Sequence, residues 1–75
     1  MSPAIRAAAE TEARVRRALA EPGIAAITLR VSALTPRIVQ LTGLVTSPDA
    51  AREAVRRARA VAAVDVVVDR LEVAS

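Results

Sequence analysis

The sequence predicts an α+β domain in which a three-stranded mixed sheet carries two helices on one face, in the order α-β-β-α-β. Three observations predict it. Apolar residues recur at helical spacing in two stretches, residues 7–21 and 48–62. They alternate along two others, residues 24–32 and 38–45. A closing run, "VDVVVDRLEV", is dense in β-branched side chains. A chain of 75 residues has room for one small domain. Residues 1–6 read as a short tail and 7–75 as the domain.

From Ala7 to Glu21, the residues Ala8, Thr11, Val15, Ala18 and Leu19 line one helical face, with Arg14, Arg16 and Arg17 outside it. Pro22-Gly23 ends this helix, because proline cannot continue it and glycine readily takes a left-handed conformation. "IAAITLRVS" then places Ile27, Leu29 and Val31 on one face and Thr28, Arg30 and Ser32 on the other, as in a half-buried strand. "ALTP" is a connection, and Ile38–Val45 is the antiparallel partner strand. Ser47 supplies a capping hydroxyl for the second helix, Pro48 suits its first position, and Asp49 faces the positive end of its dipole. Ala51, Ala54, Val55, Ala58 and Val61 or Ala62 form its apolar face, while Arg52, Arg56 and Arg59 share another. A helical crossover from the second strand to the third makes those two parallel.

Gly43 is one of only two glycines and falls in the row of Val39, Leu41 and Val45. Two readings fit it. A missing side chain lets a helix approach the sheet closely, in which case Gly43→Val overpacks the interface by about 1–3 kcal/mol. Alternatively the strand carries a bulge there.

Composition limits the chemistry. Cysteine, histidine, lysine, tyrosine, phenylalanine and tryptophan are all absent, so neither disulfides nor the usual metal ligands can support the fold. Nucleophiles paired with a base, and bases poised near neutrality, are missing too. Asp49 and Glu53 lie one turn apart at a helix start, where acids serve the dipole. Asp65 and Asp69 are about 13 Å apart along a strand and cannot clamp a proton or metal. The chain reads as a non-enzyme that uses no cofactor. All eleven basic residues are arginine and the net charge is +3, which draws the surface toward phosphate. Without an aromatic residue or a GXXG loop, nucleic acid is disfavoured as a partner. Arg6, Glu10, Glu12 and Arg14 interrupt the N-terminal stretch, so no secretory signal is legible and the expectation is cytoplasmic.

Two candidate surfaces follow. Arg52, Arg56, Arg57 and Arg59 can present forked donors to the phosphates of an anionic membrane, although Glu53 can pair with Arg57 across one turn. On the uncovered sheet face Ile38, Leu44, Val66 and Val68 project outward among Thr28, Arg30 and Arg70, an interface candidate for another protein or a homodimer, and an exposed strand edge is the other surface that could serve. A bulge near Asp69 would instead turn Val64, Val66 and Val68 inward. Asp69 stands in the row of Val67, Leu71 and Val73, explained by a bulge, an edge hydrogen bond or a ligand contact.

Over Thr11 to Val73 the chain resembles the BON domain, a small bacterial module of periplasmic osmotic-stress proteins, secretins and mechanosensitive channels. The resemblance rests on Val15, Ala18 and Leu19; on Val39, Leu41, Thr42, Gly43 and Val45; on Arg52 and Ala54; and on Val64, Val67, Asp69, Leu71 and Val73. Ala63 replaces a usual glycine, Asp69 a usual asparagine, and "ALTPR" a turn that tends to carry an acid and a glycine. The resemblance implies a non-catalytic module that binds phospholipid surfaces or connects larger proteins, with a periplasmic or membrane-associated setting. It implies no particular site residues.

Overall fold

The computed structural model describes residues 2–20 and 22–74. Helix α1 (Pro3–Ala20) leads to strand β1 (Ala26–Thr35), strand β2 (Ile38–Val45), helix α2 (Pro48–Ala60) and strand β3 (Val66–Val73). The sheet order is β1-β2-β3, with β1 and β2 antiparallel and β2 and β3 parallel. This is the expected mixed sheet in the expected element order.

The first helix starts earlier than its apolar stripe suggests. Residues 3–6 are helical, where Ser2 and Pro3 repeat the start signal of Ser47 and Pro48. The Ser2 hydroxyl accepts the Ile5 N–H at 3.2 Å, and the Ser47 hydroxyl accepts the Ala50 N–H at 3.1 Å. Each cap satisfies a donor that the first helical turn cannot. The expected helix end at Glu21 lies outside the described residues. Gly23 does not adopt the left-handed conformation anticipated for it; among the described residues only Gly43 has a positive φ.

"ALTP" is not a four-residue connection. Ala33, Leu34 and Thr35 continue β1, leaving a tight turn at Pro36-Arg37. The strand stays paired by absorbing two extra residues, Ile27 and Leu34, as register shifts against β2. A bulged residue drops out of the alternating pattern. Ile27, expected on the core face, is therefore 64% exposed, and Leu34 is exposed as well. At the first bulge the Thr28 hydroxyl accepts the Leu44 N–H at 3.1 Å.

Val15 and Leu19 of α1, Ala54 and Ala58 of α2, Val64, and Val31, Val39, Leu41 and Val67 of the sheet form one core. Both helices thus pack on the same face. On β2 the burial alternates: Val39, Leu41 and Val45 are fully buried, whereas Ile38, Gln40, Thr42 and Leu44 are half-buried on the uncovered face. Helix α2 is rotated slightly from the expected stripe, burying Ala50, Ala54 and Ala58 while Ala51 and Val55 stay half-buried. Side chains this short let α2 lie close to the sheet.

Gly43 belongs to the helix-facing row but is not there to admit a helix. Its φ is +134°, and a Cβ at this position would stand 2.3 Å from the Thr28 carbonyl oxygen and 3.0 Å from the Leu29 Cα. The crowding atoms are backbone of the neighbouring strand, next to the bulge at Ile27.

Three polar links hold the hairpin turn in place. The Thr11 hydroxyl, almost fully buried on α1, donates to the Pro36 carbonyl at 2.7 Å. A Glu12 carboxylate oxygen accepts the Ala33 N–H at 3.1 Å. The Arg37 carbonyl accepts the Asp65 N–H at 2.8 Å, while the Arg37 guanidinium binds the Asp65 carboxylate through two N–H groups.

Candidate functional site

Helix α2 carries four arginines and two acids, Asp49 and Glu53, a local excess of two positive charges (4 − 2). The helix treats the four arginines differently. Arg57 is 15% exposed at its side chain; it donates to Glu53 at 2.8 Å and to the Pro22 carbonyl, tying α2 to the segment before β1. Arg52 and Arg56 remain 72% and 68% exposed, paired only with Asp49 and Glu53 of their own helix. Arg59 is exposed and makes no salt bridge among the described residues. Arg52, Arg56 and Arg59 flank a shallow groove with Val55 and Asp69, the latter reaching it from the edge of β3.

Arg56 binds Glu53 through both Nε and a terminal nitrogen, at 2.9 and 2.5 Å. Hydrogen bonds from Arg56 first and Arg57 second hold the Glu53 carboxyl at about 2, against an ordinary 4.5. Arg37 lowers Asp65 in the same way. A carboxyl with a lowered folded-state pKa stabilises the fold above its unfolded value, and that contribution disappears as pH falls through the folded value. For Glu53 the window runs from about pH 4.5 down to about pH 2. Urea midpoints at pH 7, 4 and 2.5 should therefore show Glu53→Gln less stable than the parent at neutral pH and converging with it in acid. A difference that stays constant across that range would contradict the assignment.

Asp69 stands in the helix-side row opposite Leu41, on an edge strand. Its carboxylate accepts the Leu71 N–H at 3.0 Å, so the edge hydrogen bond accounts for its position. It shields an unpaired strand edge. The alternative orientation of β3 is excluded with it: Val67 is buried, Val66 is 48% exposed, and Val64 is buried just before the strand.

The uncovered face is less apolar than its four interface candidates suggest. Ile38 and Val66 are cross-strand partners and Val68 follows on the same face, but Leu44 stands two rows beyond Val68. The row between them is Arg30–Thr42–Arg70, and Val68 itself shares its row with Gln40 and Ser32. Polar and charged residues thus divide the patch. Two exposed apolar residues went unnoticed in the sequence, Ile5 on α1 and the bulged Leu34, which border a groove with Ala8, Ala9 and Pro36. The "SP" dipeptide was a signal for the first; nothing local marks the second.

Among the described residues, no three acidic side chains gather as metal ligands would, and no buried side-chain polar atom lacks a hydrogen-bond partner. No helix among them is long and apolar enough to cross a membrane. The fold is a small open sheet with both helices on one face and charged side chains on its exposed surfaces. The family model for the BON domain matches residues 7–75, and the chain belongs to that family of phospholipid- and protein-binding modules. No curated protein matches the chain.

Proposed function

We propose that the domain attaches to anionic phospholipid surfaces through Arg52, Arg56 and Arg59. The observation that supports this most is their common exposure along one side of α2. Their present partners are acids of the same helix, in ion pairs of a kind worth only about 0–1 kcal/mol in water. A phosphate plane can replace such partners, and each arginine near it adds about 1 kcal/mol at low salt. Arg59 needs no exchange at all. Homodimerisation through the uncovered face, the alternative reading, draws no support from a patch divided by Arg30 and Arg70.

Flotation with vesicles of neutral lipid, with and without anionic lipid, tests the reading. The protein should float only with anionic vesicles and be released when added salt shortens the screening length well below about 10 Å. Replacing Arg52, Arg56 and Arg59 together with Gln should reduce binding by roughly 100-fold on the same per-arginine scale. Equal flotation with neutral vesicles, or none at low salt, would reject it.

A further inference from the structure

The uncovered face carries a second cationic feature, independent of α2. Arg30, Thr42 and Arg70 are consecutive cross-strand partners on β1, β2 and β3. Adjacent strands lie about 4.8 Å apart, which puts the two arginine Cα atoms about 10 Å from each other with Thr42 between them. Both arginines are exposed, and neither makes a salt bridge or side-chain hydrogen bond among the described residues. By contrast Arg16, Arg37, Arg52, Arg56 and Arg57 are all paired with acids. The Thr42, Ser32 and Gln40 side chains likewise have no hydrogen-bond partner among the described residues, and Ser32 and Gln40 form the adjoining row. The nearest acid on this face is Glu72, one row away beside Leu44.

We propose that this row is a binding site for a phosphate monoester. A single guanidinium fork already saturates the two oxygens of a carboxylate. Two forks converging from opposite sides, with a hydroxyl beneath, suit a group with three terminal oxygens and nearly two charges. The arms of Arg30 and Arg70 are long enough to meet over Thr42. Arg30, on the edge strand, lines a groove with Arg16 and Leu19 of α1, so binding requires its side chain to turn from that groove onto the uncovered face. Thr42 and Arg70 lie on the uncovered face, away from the arginines of α2, so the proposal goes beyond the membrane reading and does not depend on it.

Titrating the isotope-labelled domain with glycerol 3-phosphate, against sodium chloride at matched ionic strength, reads the site directly by amide chemical shift. Saturable shifts are expected at Arg30, Thr42 and Arg70 and not on α2. Arg30→Gln or Arg70→Gln should each weaken binding about tenfold, the scale of losing hydrogen bonds to a charged group. Both changes are on exposed side chains, and an unchanged circular dichroism spectrum confirms that the variants fold. Glu72→Gln should tighten binding, and Arg14→Gln, at an exposed position of α1, should leave it unchanged. Flotation with phosphatidic acid vesicles, with Arg52, Arg56 and Arg59 already replaced by Gln to remove the contribution of α2, separates the sources of the group. Flotation that is lost on adding Arg30→Gln and Arg70→Gln assigns the monoester to a lipid headgroup, and flotation that is absent or unaffected by that addition assigns it to a soluble molecule. Shifts no larger than those with chloride, or shifts that survive both arginine replacements, would overturn the proposal whether or not α2 binds membranes.

Discussion

Gly43→Ala, the smallest change available at that position, should destabilise the domain by about 3–5 kcal/mol. Two costs combine. A left-handed or similarly strained backbone conformation costs a non-glycine residue about 1–3 kcal/mol. Overfilling a packed site costs about 1–3 kcal/mol more. Here the added carbon would stand 2.3 Å from the Thr28 carbonyl oxygen, an atom of a paired strand that cannot rotate aside as a side chain would. Relief requires moving β1 away from β2 at the bulge, which breaks pairing in the centre of the sheet. A domain of this length has roughly 4–11 kcal/mol to lose, by the usual stability per residue. At the lower end of that range the variant is partly unfolded at room temperature, and at the upper end its urea midpoint falls by about a third or more. Gly23→Ala is the comparison, since a carbon there meets only the Ala20 carbonyl at 3.9 Å. Its urea midpoint should change little, or rise as the unfolded chain loses freedom. Similar midpoints for the two variants would refute this account of Gly43.

Leu41→Ala should cost about 3–4 kcal/mol, within the range found for leucine truncations in packed cores. Leu41 is fully buried on the central strand and is the largest of the fully buried side chains. It shares its core with Val15, Leu19, Ala54 and Ala58. Ala54 and Ala58 have no length with which to refill the space, and the chain has no aromatic ring that could lean into it. The cavity should persist, placing the loss in the upper part of the range. Urea unfolding with an unchanged slope would report the loss as a midpoint shift. Val66→Ala, at a residue 48% exposed, should shift it far less. Comparable shifts would mean that Leu41 does not occupy the centre of the core.

The elements were legible where one local rule acted alone. β2 alternates cleanly over Ile38–Val45, and its residues occupy the faces that the alternation assigns. Helix α2 begins where Ser47, Pro48 and Asp49 place its start. The reading failed where a local pattern was interrupted by pairing with a distant segment. Ile27 alternates correctly in the sequence and still leaves the core, because β1 must absorb an extra residue against β2. "ALTP" has the composition of a loop, yet Ala33 and Thr35 pair with Val39 and Ile38, and Glu12 and Thr11 of α1 hold the turn. The arginines of α2 were visible as a stripe, but their roles were not. Arg57 is set apart from Arg56 by its lower exposure and by its bond to the Pro22 carbonyl, which is 35 residues away.

By itself the sequence determined the order of elements, the start of α2 at Ser47-Pro48, the alternation of β2 and a chemistry restricted to carboxylates, hydroxyls and guanidinium groups. These follow from rotamers, caps and side-chain inventories within a few residues of each other. Tertiary structure alone decided where the bulges fall, why residue 43 must be glycine, which arginine of α2 is partly covered, and that Arg30 and Arg70 flank Thr42. Those outcomes depend on the register between strands far apart in the chain, and register is set by the whole packed sheet, not by any one segment.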